Sequence, residues 1–356
     1  MYQQDHNLLK NRWLSFWNRE NHDRPLISVT APRDGAVYDK DPFPGTRERW
    51  FNTELVVERT RRGIENTFYG GEAIPYTYPN LGPDVLGAIC GCDLEFGEHT
   101  SWAIHNVTDW ESLPPIVFDS DNKWFVKIQE LTRALLEDSG GDYLIGVADY
   151  HPGIDTLVSL RGPETLCMDL YDAPEQINPR VKQVFEVFKS VFEAQSDMIA
   201  TKQEGATSWM AVWHPEANWY VTSSDFSALV SEDHFEEFVL PGLNYELDYL
   251  PASIYHLDGP GSLKHLDRLL QLPKLNGIQW VQGAGSAPSR DWIPVYKKIQ
   301  AAGKLIEVNC EPDDIAPLCE ALDPEGVHLN TYASSESEAR DLIKLAESIY
   351  KDKRRM

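Results

Sequence analysis

The side chains best suited to chemistry sit in the run SIYHLD, where His256 and Asp258 flank Leu257. In an extended strand, residues two apart face the same side, so the imidazole and the carboxylate would enter one pocket. Such a pair could hold a divalent ion or act as an oriented acid and base. A core histidine bonded to a backbone carbonyl is the structural alternative. Glu307 lies in a second apolar run between Ile306 and Val308. A carboxylate there needs a partner, because burying it alone is costly. A raised pKa would suit it to general-acid work, and a salt bridge to Lys or Arg would serve it equally. These three are the candidate catalytic residues, with His256 and Asp258 also the candidate metal ligands.

Other strand ends carry a consistent set of polar and aromatic groups. Asp149 and His151 follow LIGVA, Trp213 and His214 follow WMAV, and Asp225 closes the TSSD segment. Trp280 and Gln282 lie in and after GIQWV, and Asn330 ends GVHLN. Taken singly, each reads as readily as a cap or turn residue. Together they describe a concave polar mouth with aromatic walls, the kind of place that takes a small molecule. Gly283-Ala284-Gly285 lacks a phosphate-loop pattern and reads as a tight turn.

What could position them is a series of strand–helix units. From about residue 250 onward, SIYHLD, GIQWVQG, KLIEVN and GVHLN alternate with helical stretches at 260–271, 290–302, 311–322 and 335–350. This repeat predicts a parallel sheet, and its even spacing predicts a single α/β domain of the TIM-type (β/α)8 barrel class over residues 1–356. Upstream, helices are expected over 3–20, 47–66, 122–138, 163–171, 174–201 and 231–249. Strands are expected at LISVTAP, DYLIGVAD and WMAVW, with a loop over 31–46. Residues 1–25 are expected to form an N-terminal helical extension. The Gly-, Pro- and aromatic-rich stretch 68–120 reads as a lid or insertion with some hairpin.

Composition narrows the partners. A net charge of −24 on 356 residues disfavours nucleic acid and anionic membrane surfaces. The five cysteines are scattered and odd in number, as expected of reduced thiols. With no apolar signal-like N-terminus and no long apolar run, the expected location is the cytoplasm and the expected partner a small-molecule substrate.

The segments LRGPETLCMDLYDAPEQI (160–177), SDFSALVSEDHFEEFVLPGL (224–243) and YHLDGPGSLKHLDRLL (255–270) resemble the uroporphyrinogen decarboxylase superfamily. The resemblance is to its branch of cobalamin-dependent methyltransferases, of trimethylamine-corrinoid type. It implies a TIM barrel, a substrate methyl group, a corrinoid supplied by a partner protein, and zinc held by one His and two Cys. In the matching motif the His is His256, but Asp258 stands where the first Cys would be. The last strand, VHLNTYASSESEAR, has no Cys for the second. Zinc or another divalent metal would therefore meet a site poor in thiolate.

The leading expectation is methyl transfer between a small methylated substrate and a corrinoid protein. His256, Asp258 and Glu307 would do the metal or proton work. Trp213, His214, Trp280, Gln282, Asp149, His151, Asp225 and Asn330 would shape the pocket. Two alternatives stand beside it. One is a lyase, isomerase or hydrolase acting on a polyol or sugar through paired carboxylates. The other is a non-catalytic corrinoid-docking or substrate-binding subunit.

Overall fold

The computed structural model describes residues 6–36, 45–216 and 218–355. Among the described residues there are eleven strands: β1 (Leu26–Pro32), β2 (Thr67–Gly71), β3 (Tyr76–Thr77), β4 (Asp93–Phe96), β5 (Ser101–Ile104), β6 (Leu144–Ile145), β7 (Tyr220–Ser223), β8 (Ser253–Asp258), β9 (Gly277–Val281), β10 (Leu305–Asn309) and β11 (Val327–Tyr332). The main sheet runs β2-β1-β11-β10-β9-β8-β7. All its neighbours are parallel except β2, which is antiparallel to β1. Helices cover the crossovers, so these strands are buried on both faces and read as nearly continuous apolar runs. The result is a mixed α/β architecture compatible with a TIM barrel. Ladder hydrogen bonds do not close it into a ring among the described residues. β3 pairs with β6, and Gly146 bridges Thr207, as separate pieces.

Side-chain alternation sorts the inner face of the sheet into rows. One register row joins Val221, Ile254, Gly277 and Leu305 and is apolar. The glycine is required there, because a Cβ on Gly277 would come within 2.7 Å of the Leu305 Cβ. Two residues further along, the next row joins Ser223, His256, Gln279, Glu307 and His328 across five adjacent strands. Asp258 lies one further step toward the strand exits. The opposite face, with Tyr255, Leu257, Ile278, Trp280, Ile306 and Val308, packs into the layer under the helices.

Helix α1 (His6–Trp17) seals the other end of the strands. Its Leu9, Trp13 and Phe16 share a core with Leu26, Val221, Ala252, Ile254 and Leu305, which stand at or near strand starts. The expected helix over 3–20 is thus confirmed over 6–17, and residues 1–5 lie outside the described residues, as does the 37–44 part of the expected 31–46 loop.

Several expectations are corrected. The stretch 68–120 is more than a lid: it supplies β2 to the main sheet and β3 beside β6, then the short helix Val85–Cys90 and the hairpin β4–β5. The helix over 47–66 is two, Thr46–Phe51 and Thr53–Glu65, because the Asn52 side chain turns back to accept from the Leu55 N–H and caps the second. An additional helix, Ile154–Arg161, precedes Pro163–Asp172. WMAVW is not a strand. The chain bends through residues 208–211 and comes back, so that Ala206 pairs antiparallel with His214. Among the described residues, no helix is long and apolar enough to cross a membrane.

Candidate active site

The strand exits of β7 and β8 bring three ligand-type groups together. Asp225, His256 and Asp258 each offer one donor atom, all within 4.8 Å of one another. Among the described residues this is the one group of three or more His, Cys, Asp or Glu side chains so placed. His256 and Asp258 reach it from alternate positions of β8. Asp225 opens the turn after β7, and that turn is fixed from below. The buried carboxylate of Asp155 accepts from the backbone N–H groups of Asp225 (2.9 Å) and Phe226 (3.0 Å) and from the Ser224 hydroxyl (3.2 Å). Desolvation raises the Asp225 pKa, the nearby Asp155 and Asp258 push the same way, and His151 and His256 oppose.

His151 stands beside this cluster and is surrounded by acid. Its Nε2 lies 3.0 Å from Asp149 and its Nδ1 3.8 Å from Asp155 and 4.0 Å from Asp225, with the Ser223 hydroxyl at 3.2 Å. Burial alone would push its pKa down. The charges of Asp149, Asp155 and Asp225 outweigh that and raise it well above the ordinary histidine value. The three carboxylates therefore favour the imidazolium form of His151. Trp209 forms a wall between the two histidines, nearly parallel to His151 at 6.5 Å and edge-on to His256 at 5.2 Å.

Behind His256 the polar row continues as a hydrogen-bonded chain. His256 Nδ1 meets the Gln279 Oε1, and the Gln279 Nε2 donates to the Glu307 carboxyl at 2.6 Å. His328 Nε2 bonds the Ser28 hydroxyl at 2.9 Å, while its Nδ1 sits 3.8 Å from Glu307 with no hydrogen-bond partner. Glu307 is 1% exposed and His328 0%. Burial pushes the Glu307 carboxyl up to about 7, with the Gln279 amide opposing, and pushes His328 down to about 3. Burial moves the two groups toward their neutral forms, so their 3.8 Å contact is no salt bridge.

The candidates named from sequence divide accordingly. His256, Asp258 and Asp225 come together, with His151 and Asp149 alongside. Glu307 lies behind Gln279, out of reach of a molecule at the mouth. Gln282, just after β9, donates to the Ser289 hydroxyl and Asn330, within β11, to Asn309 Oδ1, and neither is bonded to the cluster. Trp280 faces outward and packs against Trp292 at 5.1 Å, because it alternates with the inward Gln279. Trp213 and His214 are at the sealed end. Trp17 donates to the Trp213 carbonyl and lies edge-on to His214 at 4.5 Å. The reversal at 208–211 explains this, since it sends Trp209 toward the site and Trp213 away from it. Trp209, Gln279 and Asp155 border the candidate site but were not among the candidate site residues. Gln279 was recoverable from alternation opposite His256, whereas no periodicity marks Trp209.

The thiolate zinc set implied by the superfamily resemblance does not fit this site. The cluster contains no cysteine. Cys310, at the exit of β10, is buried with its thiol pushed well above the usual range by that burial and by Asp314 and Glu307. An oxygen-rich set of two carboxylates and an imidazole suits a harder divalent ion. No lysine or arginine pairs with Asp149, Asp155, Asp225 or Asp258 among the ion pairs of the described residues.

No known protein family matches the sequence, and no curated protein matches it. One solved structure similar to this chain is a B12-independent methionine synthase from a Shewanella species in complex with selenomethionine. The identity is 9% and the TM-score 0.46, over 93% of this chain and 98% of that one. A likeness of that degree carries no argument about what this chain does.

Proposed function

We propose that this chain is an enzyme that acts on a small, oxygen-bearing molecule at the strand exits, with a divalent cation held by Asp225, His256 and Asp258. The observation that carries the reading is that hard donor set standing beside a buried imidazolium. A bound cation would supply Lewis-acid polarisation of a substrate oxygen. His151 would donate a hydrogen bond, or its proton, to the oxygen that gains charge. Asp149 and Asp155 keep His151 oriented and charged. Asp225 is shared: once its charge is engaged elsewhere, its hold on His151 weakens and the imidazolium becomes a better acid. Trp209 offers an aromatic wall for an apolar face of the substrate. The site holds four carboxylates, and among the described residues His151 pairs with three of them while no lysine or arginine does, which disfavours phosphorylated or polycarboxylate substrates. A polyol or sugar undergoing elimination, isomerisation or hydrolysis fits best.

Methyl transfer from a small methylated substrate to the corrinoid of a partner protein is the second reading. What favours it is that Asp225, His256 and Asp258 all fall within segments 224–243 and 255–270, which resemble the corrinoid-dependent branch. There, His151 would return a proton to the oxygen or nitrogen losing its methyl group. The two readings separate by substrate and partner. Metal-dependent turnover of polyols or sugars, abolished by Asp258→Asn, supports the first. Demethylation that requires an added corrinoid protein supports the second. Activity equal before and after exhaustive chelation would overturn both metal roles. A chain that binds corrinoid protein yet turns over nothing would be the non-catalytic docking subunit.

A further inference from the structure

We infer that Glu307, acting through the Gln279 amide, is a positioning residue that fixes His256 as its Nδ1–H tautomer and so presents an unprotonated Nε2 to the cation site. This rests on the proposed cation site and extends it one layer inward. Three adjacent strands place the groups at one level, with His256, Gln279 and Glu307 directly opposite one another in register. The amide has one donor end and one acceptor end. The Glu307 oxygen that faces the amide accepts from the Nε2 end of Gln279 at 2.6 Å, which turns the Oε1 end toward His256. An acceptor facing Nδ1 requires that nitrogen to carry the proton, and in a neutral ring the other nitrogen then carries the lone pair. Nε2 has no hydrogen-bond partner among the described residues.

The alternative tautomer would aim an N–H at the cluster and form a poor ligand. It would also leave the Gln279 oxygen facing a lone pair. Glu307 is too deeply buried to touch a molecule at the mouth, which makes its position informative. A buried carboxyl with no cationic partner is costly, and selecting the ring tautomer of a ligand two strands away gives it a role. In metal sites such partners behind the ligand are commonly worth about 10- to 100-fold in affinity.

Two readouts test this. Ring nitrogen shifts of 15N-histidine-labelled, metal-free protein report the tautomer of His256, and titration with Mn2+ reports affinity. Wild type is expected to show Nδ1–H. Glu307→Leu should release the amide, give a mixture of tautomers, and weaken Mn2+ by about 10- to 100-fold. Glu307→Gln keeps an oxygen able to accept from Gln279 and should restore most of both. Gln279→Met should reproduce the Glu307→Leu defect, and it serves as the test if the leucine variant does not fold. An unchanged tautomer in Glu307→Leu and Gln279→Met, or Nε2–H in wild type, overturns the inference. If wild type binds no divalent ion, the proposed function falls instead, while the tautomer readout still decides the role of Glu307.

Discussion

The two ends of the strands use the same residue types to opposite ends. At the sealed end His214 sits edge-on to Trp17, 4.5 Å away, and tilted against Trp219 at 6.3 Å. At the open end His151 and His256 share Trp209. A histidine beside a tryptophan therefore says nothing about function by itself. The difference lies in the charge around it. His214 has no carboxylate partner, so burial pushes it down to about 4. His151 has three, which raise it despite burial. His214 sits in neutral, packed surroundings, whereas His151 sits among charge that a ligand can use.

This contrast can be broken in order of expected effect. Replacing His151 with Leu should cost about 3–5 kcal/mol near pH 6, since it leaves the buried Asp155 and the half-buried Asp149 without their cation. The raised pKa fixes the sign. The stabilisation is fully present below the unfolded value of about 6.5 and is lost as pH rises through the higher folded value, so the deficit should shrink in alkaline urea melts. Replacing Trp13 with Ala should also cost about 3–5 kcal/mol, because that fully buried ring packs on Phe16 and His328. Cation affinity should not change, because the ring lies at the sealed end. An altered affinity would mean that the two ends are coupled.

His214 has the opposite sign. With a folded pKa of about 4, the unfolded chain takes up a proton first as pH falls below about 6.5. Wild type should therefore lose on the order of 3 kcal/mol at this site by pH 4. His214→Phe should flatten that slope in acid denaturation scans and change little above pH 7. The smallest effect on stability belongs to Asp258→Asn, at the edge of the open site. Its expected signature is functional, an affinity for Mn2+ lowered by about 100-fold or more, given that partners behind a ligand are already worth about 10- to 100-fold.

Sequence patterning reached the C-terminal half well because parallel strands covered on both faces leave continuous apolar runs. SIYHLD, GIQWV, KLIEVN and GVHLN all became strands, and alternation put His256 and Asp258 on one face as expected. Shorter strands were less legible. β3 has two residues, too few for any period, and β2 is a run of five with two glycines, so the 68–120 stretch concealed both. The misplacement of Trp213 and His214 has a single cause, the reversal at 208–211, where four residues turn the chain without a Pro or Gly to mark it. Asp225 and His151 were visible as strand-end polar residues, but their pairing through Asp155 depends on a helix, Ile154–Arg161, that the patterning did not reveal. Trp280 was assigned to the wrong face although the alternation that places Gln279 inward already turns it out.

The central claim is that Asp225, His256 and Asp258 form a cation site at the open end. An anomalous-difference map from crystals soaked in Mn2+ tests it most directly. One strong peak bonded to all three side chains is expected in wild type, absent from Asp258→Asn crystals of the same form. No peak there, or a peak that survives the substitution, would contradict it.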